Sequence, residues 1–562
     1  MKTSLVRFFA LTALLALGLL AACTASTPSQ PTPTTPLAVV ETGQLPRMRG
    51  EFFSASGECG FCHTALKDSA GKDVSIESAW RASIMANSTR DPYYRASVRS
   101  EVLHKADYAL AIQEKCAVCH ISMAHHTALL NNQSPALLPA EGYLNPAHPL
   151  YPLAIDGVSC TLCHQIQGNN FGTGESYSGG YLFEKEPKPG ERAAYGRFAV
   201  DENMATVMRN AAGYQPVQSE HVTQSELCAV CHNLYTPYFT NEGNLSSELF
   251  PEQTPHLEWL ASDYVQSSSC QTCHMPAAEG EAPVANTGSP KRSPFMQHTF
   301  IGGNRYLLEI LSANPDALKT SATTEQLEQA RLLTLQQLQQ NTARLSGNAS
   351  LEGDQLVIDL NIEVLTGHKF PTSFPSRRAW LHIIVKDANG KTVFESGNWQ
   401  ADGSIIGNDN DLDEQRFEPH YQVITSPDQV QIYEPIIGDP DGKVTTTLLR
   451  AQHYLKDNRL LPRGFDKAKV SPDIGVYGEA ATDPDFLGGG DSLQYRIPLS
   501  GFSGPFKVEV ELLYQSFGYR WAEKFRSQTT ENPEAVEFYQ YTDALPNTPT
   551  TISTLLLTAA TP

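Results

Sequence analysis

Two cysteines three positions apart, followed at once by a histidine, occur five times in the chain: Cys59/Cys62/His63, Cys116/Cys119/His120, Cys160/Cys163/His164, Cys228/Cys231/His232 and Cys270/Cys273/His274. Shuffling this composition would give roughly 0.006 such matches, so the repetition is chemical in origin. Zinc fingers use Cys/Cys and His/His pairs and do not need a histidine fixed after every second cysteine. A thioredoxin-like dithiol is expected once, in a βαβ setting. Covalent haem accounts for every position. Cysteines at i and i+3 lie on one side of a helical turn and can form two thioethers, while the histidine at i+4 turns its imidazole to the iron. The motifs therefore predict five c-type haems on these ten cysteines, with His63, His120, His164, His232 and His274 as proximal ligands. Of the 11 cysteines only Cys23 is left over, so none remains to pair in a structural disulfide.

The chain has 16 histidines, so 11 are available for distal positions or ordinary duties. His104, His125, His126, His148, His221, His256 and His298 fall within the motif region. His221 precedes Cys228 by seven residues. His298 sits among apolar neighbours and glycines in FMQHTFIGGN, a setting that can cover a porphyrin. His125 and His126 follow His120 too closely for both to ligate. Met85 is the thioether candidate, against a core methionine that merely fills space. The distal candidates are thus His298, His221, His125 and Met85, with His368 added below.

These residues need a scaffold, and the chain is long enough for several domains. Residues 46–320 carry all five motifs among many Pro, Gly and Asn, and read as a helix- and loop-rich module with short helices at each motif and over 98–115. A linking helix follows in 321–346, helical from 324 to 345. Thr323 and Gln326 have capping-box spacing, and Gly347 is a plausible stop. The pattern then changes to period 2. Leu356, Ile358, Leu360, Ile362 and Val364 alternate with mostly polar neighbours, as do Phe506, Val508, Val510, Leu512 and Tyr514; Asn389-Gly390 marks a hairpin. Residues 347–525 are predicted to form an antiparallel β-sandwich, and 526–562 a loosely attached tail. His368, in TGHKFP, lies in a turn from which it could reach a haem. Asp409, Asp411 and Asp413 alternate as calcium ligands do, but the glycine of an EF-hand loop is missing and a solvated acidic loop is the plainer reading.

Lys2 and Arg7 precede a short apolar run ending in Leu20-Ala21-Ala22-Cys23. This has the layout of a secretory leader (1–22) and resembles a bacterial lipobox, which predicts an exported protein carrying lipid on Cys23, against an ordinary leader with an incidental cysteine. The Pro/Thr-rich segment 23–45 then serves as a tether. A net charge of -20 argues against a nucleic-acid partner.

The stretches EQTPHLEWLASDYVQSSSCQTCHMP (252–276), DGVSCTLCH (156–164), SPFMQHTFIGGN (293–304) and LTGHKFPTSFPSRRAWLHIIVKD (365–387) resemble the multihaem cytochromes of the c554-like grouping. The resemblance implies electron transfer between redox proteins and mostly bis-histidine iron. Where such proteins often show Ser-x-His-Ala after the first motif, this chain has Ser83-Ile84-Met85-Ala86, which keeps Met85 a candidate. The expected function is that of a lipid-anchored pentahaem electron carrier facing the periplasm or cell exterior, with redox proteins as partners and the membrane engaged through Cys23. The alternative is an oxidoreductase acting on a small nitrogen or sulfur compound at an open haem.

Overall fold

Side-chain caps set the starts of three α-helices in the first half, at Asp91, Asp201 and Ser269. Asp91 accepts from the backbone N–H groups of Tyr93 and Tyr94 and is followed by a proline at the first helical position, so Pro92–His104 is helical from there. The computed structural model to which these observations belong describes residues 40–138, 142–186 and 190–560; the apolar leader, Cys23 and most of the tether lie outside them. The helix expected over 98–115 is split: one helix ends at His104, a short turn spans Ala106–Tyr108, and Ala109–His120 runs into the second motif. Among the described residues no helix is long and apolar enough to cross a membrane.

Thr323 and Gln326 form the capping box in both directions, opening the helix Thr324–Gln340. The helix stops short of 345, and Leu345 and Gly347 belong instead to a strand, Ala343–Glu352. That strand pairs residue for residue with Gln355–Val364 through a turn at Gly353 and buries Ala343 and Leu345. Ten cross-strand pairs outweigh continuation of a Gln-rich helix by one more turn.

Besides the two-stranded pair of Pro435–Gly438 with His453–Asp457, the β half has two larger sheets among the described residues. One has the order Thr392–Ser396, Arg378–Lys386, Phe506–Gln515, Thr550–Ala559, with Ile432–Tyr433 also pairing to Arg378–Lys386, and all its pairs are antiparallel. The other has the order Val423–Ile424, Gly490–Pro498, Gln355–Val364, Ala343–Glu352, and its first pair is parallel, a departure from the all-antiparallel expectation. Both alternating runs of the sequence point inward: Leu356, Ile358, Leu360 and Ile362 share one apolar core with Val508, Val510 and Leu512. The Asn389-Gly390 hairpin is present, with Gly390 at φ +79° and the Asp387 carboxylate accepting from the backbone of Asn389 and Lys391.

The C-terminal stretch is not a loose tail. Thr550–Ala559 forms an edge strand of the first sheet, and the helix Pro533–Thr542 packs on Pro92–His104, where Arg99 holds the Glu534 carboxylate with two bonds of 2.9 Å. Tyr93 stacks on Phe517 at 5.0 Å and 11° in the same contact. Through such contacts the described residues form one compact unit.

Candidate functional site

Four of the five motifs carry both cysteines on a helix, as expected: Ala109–His120, Cys160–Cys163, Glu226–His232 and Cys270–His274. The first motif departs from that expectation. Its helix, Gly57–Gly60, holds Cys59 only, and Cys62 and His63 follow in a turn. The Cys62 N–H turns to Cys59 O in a tighter turn, and Asn286 blocks further helix: its backbone N–H donates to Cys62 O at 2.8 Å and its side-chain amide to Phe61 O at 3.1 Å. Cys62 N still donates to Cys59 O at 3.1 Å and His63 N to the same oxygen at 3.2 Å, which keeps the i, i+3, i+4 arrangement of one turn.

None of the ten motif cysteines forms a disulfide. Local hydrogen bonds bring the motifs together. Thr161 and Ser54 exchange two bonds, and Ser56 binds Asp156, joining the first motif to the third. The Tyr181 hydroxyl donates to Val118 O and the Gly179 N–H to Val230 O, joining the second to the fourth. Cys270 N donates to Ser225 Oγ, which hangs the fifth on the fourth. Cys116, Cys163 and Cys231 pack against a single apolar cluster.

Among the described residues, the one group of three or more His, Cys, Asp or Glu whose ligand atoms lie within 4.8 Å of each other is His420, Asp483 and Asp491. No motif closes into a zinc cage. Burial pushes the Cys163 thiol up to about 12 and the Cys116 thiol higher still, whereas a hydrogen bond with Cys228 brings Cys270 down to about 7 and one with Cys231 lowers Cys119, so the motif thiols do not share one reactivity. The first four motifs enclose a cavity of about 760 Å³ with a mostly apolar wall, onto which His63, His120, His164 and His232 open, together with Met85 and His298. Both cysteines of the second, third and fourth motifs line it, but in the first motif only Cys59 does. Cys62 lies off that wall, a correction to its expected place beside Cys59, because the turn that follows Gly60 carries it outward next to the exposed Phe61. Cys270, Cys273 and His274 also lie off it, and Cys273 is exposed, although Ser269, Gln271, Thr272 and Met275 of the fifth motif and its flanks line the wall. The volume, the apolar wall and the free cysteine pairs with adjacent imidazoles fit haem.

The imidazoles are preset for a metal. His63 Nδ1 donates to Val284 O at 2.7 Å, His164 Nδ1 to Tyr195 O at 2.5 Å, and His274 Nδ1 to Ile301 O. This fixes the tautomer and leaves Nε2 with its lone pair, the role an outer carbonyl plays at metal sites. Burial holds His120 and His232 down at about 4, so both are neutral, as a ligand must be. His298 Nδ1 binds Met296 O at 3.2 Å and His368 Nδ1 binds Lys369 O at 2.9 Å, again sparing Nε2. Burial, with His164 adding to it, holds His298 at about 3.

Two pairs of these rings face each other. His164 and His298 have centroids 6.3 Å apart with planes at 22°; His274 and His368 are also 6.3 Å apart, at 14°. A metal–imidazole bond is about 2.0 Å and a ring nitrogen stands about 1.2 Å from the centroid, so imidazoles on opposite sides of one metal have centroids roughly 6.3 Å apart. The centroid spacing of His298 from the third motif's His164, and of His368 in the β half from the fifth motif's His274, is compatible with one metal between each pair. No comparable ring pairing accompanies His63, His120 or His232 among the described residues.

Other candidates fare differently. His221 has both nitrogens engaged, Nδ1 with Ser219 Oγ at 2.6 Å and Nε2 with Ile166 O at 2.7 Å, so its expected role as a distal ligand is not what the structure shows. His125 is buried with Nδ1 lacking a partner, whereas His126 Nε2 meets the Tyr181 hydroxyl at 2.8 Å. His104 is exposed at a helix end, His148 Nδ1 accepts from Leu150 N, and His256 Nδ1 lies 3.4 Å from Asn233 Nδ2. The calcium reading of Asp409, Asp411 and Asp413 fails, because the three carboxylates serve different partners: Arg416, the buried Arg378 and the backbone N–H of Gln415.

The His420, Asp483 and Asp491 cluster was not visible in the spacing. His420 Nδ1 accepts from both Gln431 Nε2 (2.9 Å) and Asn458 Nδ2 (3.1 Å). Those amides are themselves oriented by Tyr421 N and by Ile432 O and Glu434 N. Nε2 of the neutral ring therefore carries the hydrogen and donates it to Asp483 at 3.0 Å, which makes the cluster a proton-sharing core element instead of a cation cage. Tyr94, lying flat on His120 at 4.1 Å and 3°, was also missed, since nothing in the sequence marks an aromatic 26 residues upstream.

No protein-family model and no curated protein matches the chain. Among solved structures, its fold is similar to that of a penta-heme cytochrome c552 from Thermochromatium tepidum, at 17% identity and a TM-score of 0.46 over 86% of this chain and 95% of that one. So loose a superposition carries no argument about cofactor or activity.

Proposed function

We propose that the protein is a pentahaem c-type cytochrome that carries electrons between redox partners. The observation that carries this reading is the pair of opposed imidazoles, each at the spacing one metal ion imposes and each with one member in a Cys-x-x-Cys-His motif. Cys59/Cys62, Cys116/Cys119, Cys160/Cys163, Cys228/Cys231 and Cys270/Cys273 would hold the haems by thioethers, Cys62 from the outer margin of its site. His63, His120, His164, His232 and His274 would be their proximal ligands, and His298 and His368 would serve as second ligands beside His164 and His274. Haem iron supplies reversible one-electron chemistry when bound. The chain's own part is to fix each ring through Val284, Tyr195 and Ile301 carbonyls, to exclude water behind the apolar wall, and to hold successive motifs side by side. The leader and Cys23 support export and lipid anchoring, with redox proteins as partners.

A second reading, an oxidoreductase acting on a small nitrogen or sulfur compound, is favoured by the motif histidines that have no imidazole opposite among the described residues, His63, His120 and His232. Of these, His120 has the Tyr94 ring on its face. Haem staining with mass measurement of the purified protein tests the main reading: five haems are expected, and fewer would contradict it. Cyanide or nitrite binding with a resting high-spin signal would shift the weight to the second.

A further inference from the structure

His368 reaches the fifth motif from the β half, and the segment carrying it is held by buried charge. Lys369 is fully buried; its Nζ donates to Asp457 Oδ2 at 2.7 Å and to Gly475 O at 2.8 Å. Arg459 donates to both Asp457 oxygens at 2.8 Å and meets Glu258 Oε1 at 2.9 Å. Glu258, equally buried, accepts through Oε2 from the backbone N–H of Lys369 at 3.1 Å and from the Thr372 hydroxyl. Two cations and two carboxylates thus close a neutral network around the residue next to His368.

The network also touches the other side of the same site. Glu258 lies in the helix Pro255–Leu260, and its neighbour Trp259 donates Nε1 to Ser268 O at 2.9 Å, one residue before Ser269, whose hydroxyl caps the helix of the fifth motif. Tyr264 donates to Leu365 O at 2.6 Å, and Gly367 sits against Tyr264 and Trp259, where an added Cβ would come within 3.2 Å of Tyr264. One short segment therefore holds both the helix bearing His274 and the loop bearing His368. Burying four charges is a poor route to stability, since desolvation offsets most of the attraction. Fixing the distance between two ring-bearing segments is something such a network does well.

We propose that Glu258, Arg459, Asp457 and Lys369 form a positioning clamp that sets the reach of His368 Nε2 toward the fifth haem. The proposal rests on the reading of His274 and His368 as one axial pair.

The test compares holoprotein variants by EPR and by potential-resolved optical titration. His368→Met is the reference: loss of one bis-histidine low-spin signal and a raised potential for one haem establish the axial pair, whereas an unchanged spectrum overturns the pair and the clamp with it. Glu258→Gln keeps the shape but turns one of the two acceptor oxygens into an N–H donor, so either Arg459 or the Lys369 N–H loses its acceptor. It is expected to convert the same signal, in part, to a high-spin form that added imidazole restores to low spin, with five haems still attached. If Glu258→Gln does not fold, Thr372→Val removes one contact to Glu258 and is expected to shift the same potential by a smaller amount at unchanged melting temperature. A wild-type spectrum and potential in the folded clamp variant, alongside an altered His368→Met, would show that the network serves packing only and would overturn the proposal.

Discussion

In the β half, Leu356, Ile358, Leu360 and Ile362 of one sheet meet Val508, Val510 and Leu512 of the other and close an apolar core. In the motif half the interior holds a cavity of about 760 Å³ onto which four of the motif histidines open. Among the described residues, all but three of the buried side-chain polar atoms lacking a hydrogen-bond partner precede residue 320; the exceptions are on Asn408, Asp491 and Tyr495. A half that satisfies its own polar groups and a half that does not have different relations to a cofactor. The first can fold on its own chemistry, while the second is shaped for groups that arrive later.

The largest expected effect follows directly. Expressed without haem attachment, the chain should lose amide-exchange protection throughout residues 46–320 while the strands of the two sheets keep theirs; equal loss in both halves would erase the distinction. Leu512→Ala should then cost about 2–5 kcal/mol in a denaturant titration, because the closed β core cannot refill the cavity.

The pH dependence of the β half sharpens the comparison further. Burial, with Asp483 adding to it, raises the Asp491 carboxyl to about 7. A folded-state value above the ordinary one near 3.9 means that the folded protein binds the extra proton between these limits, so stability falls as pH rises from about 4 through 7. Asp491→Asn should abolish this fall, a gain of at most about 4 kcal/mol at pH 8 and little at pH 4, measured by thermal unfolding at both. The smallest effect belongs to His221→Ala. It should leave every haem ligand in place and cost about 1–3 kcal/mol through the loss of its bonds to Ser219 and Ile166.

Much of this was legible in the chain. The five motifs, the Thr323/Gln326 capping box, the period-2 strands and the Asn389-Gly390 turn are local signals, and local physics decides them. The missed features are decided at a distance. Leu345 extends a helical stripe until Gln355–Val364 offers it a partner strand, and the stretch after 525 reads as a tail until Phe506–Gln515 pairs with it. Cys62 reads as the second residue of a helical pair, but its N–H closes a tighter turn on Cys59 and Asn286, far along the chain, takes its carbonyl. His298 and His221 look alike as isolated histidines; only the carbonyl of Ile166, 55 residues from His221, separates them. The ring opposite His274 lies 94 residues away in the other half, and no spacing rule connects the two.

The most direct test of the central claim is a potential-resolved optical and EPR titration of the purified wild-type protein alongside His298→Met and His368→Met. The expected result is five c-type haems in all three, with each variant losing a different bis-histidine low-spin signal. Fewer than five haems, or variants whose low-spin signals match the wild type, would contradict it.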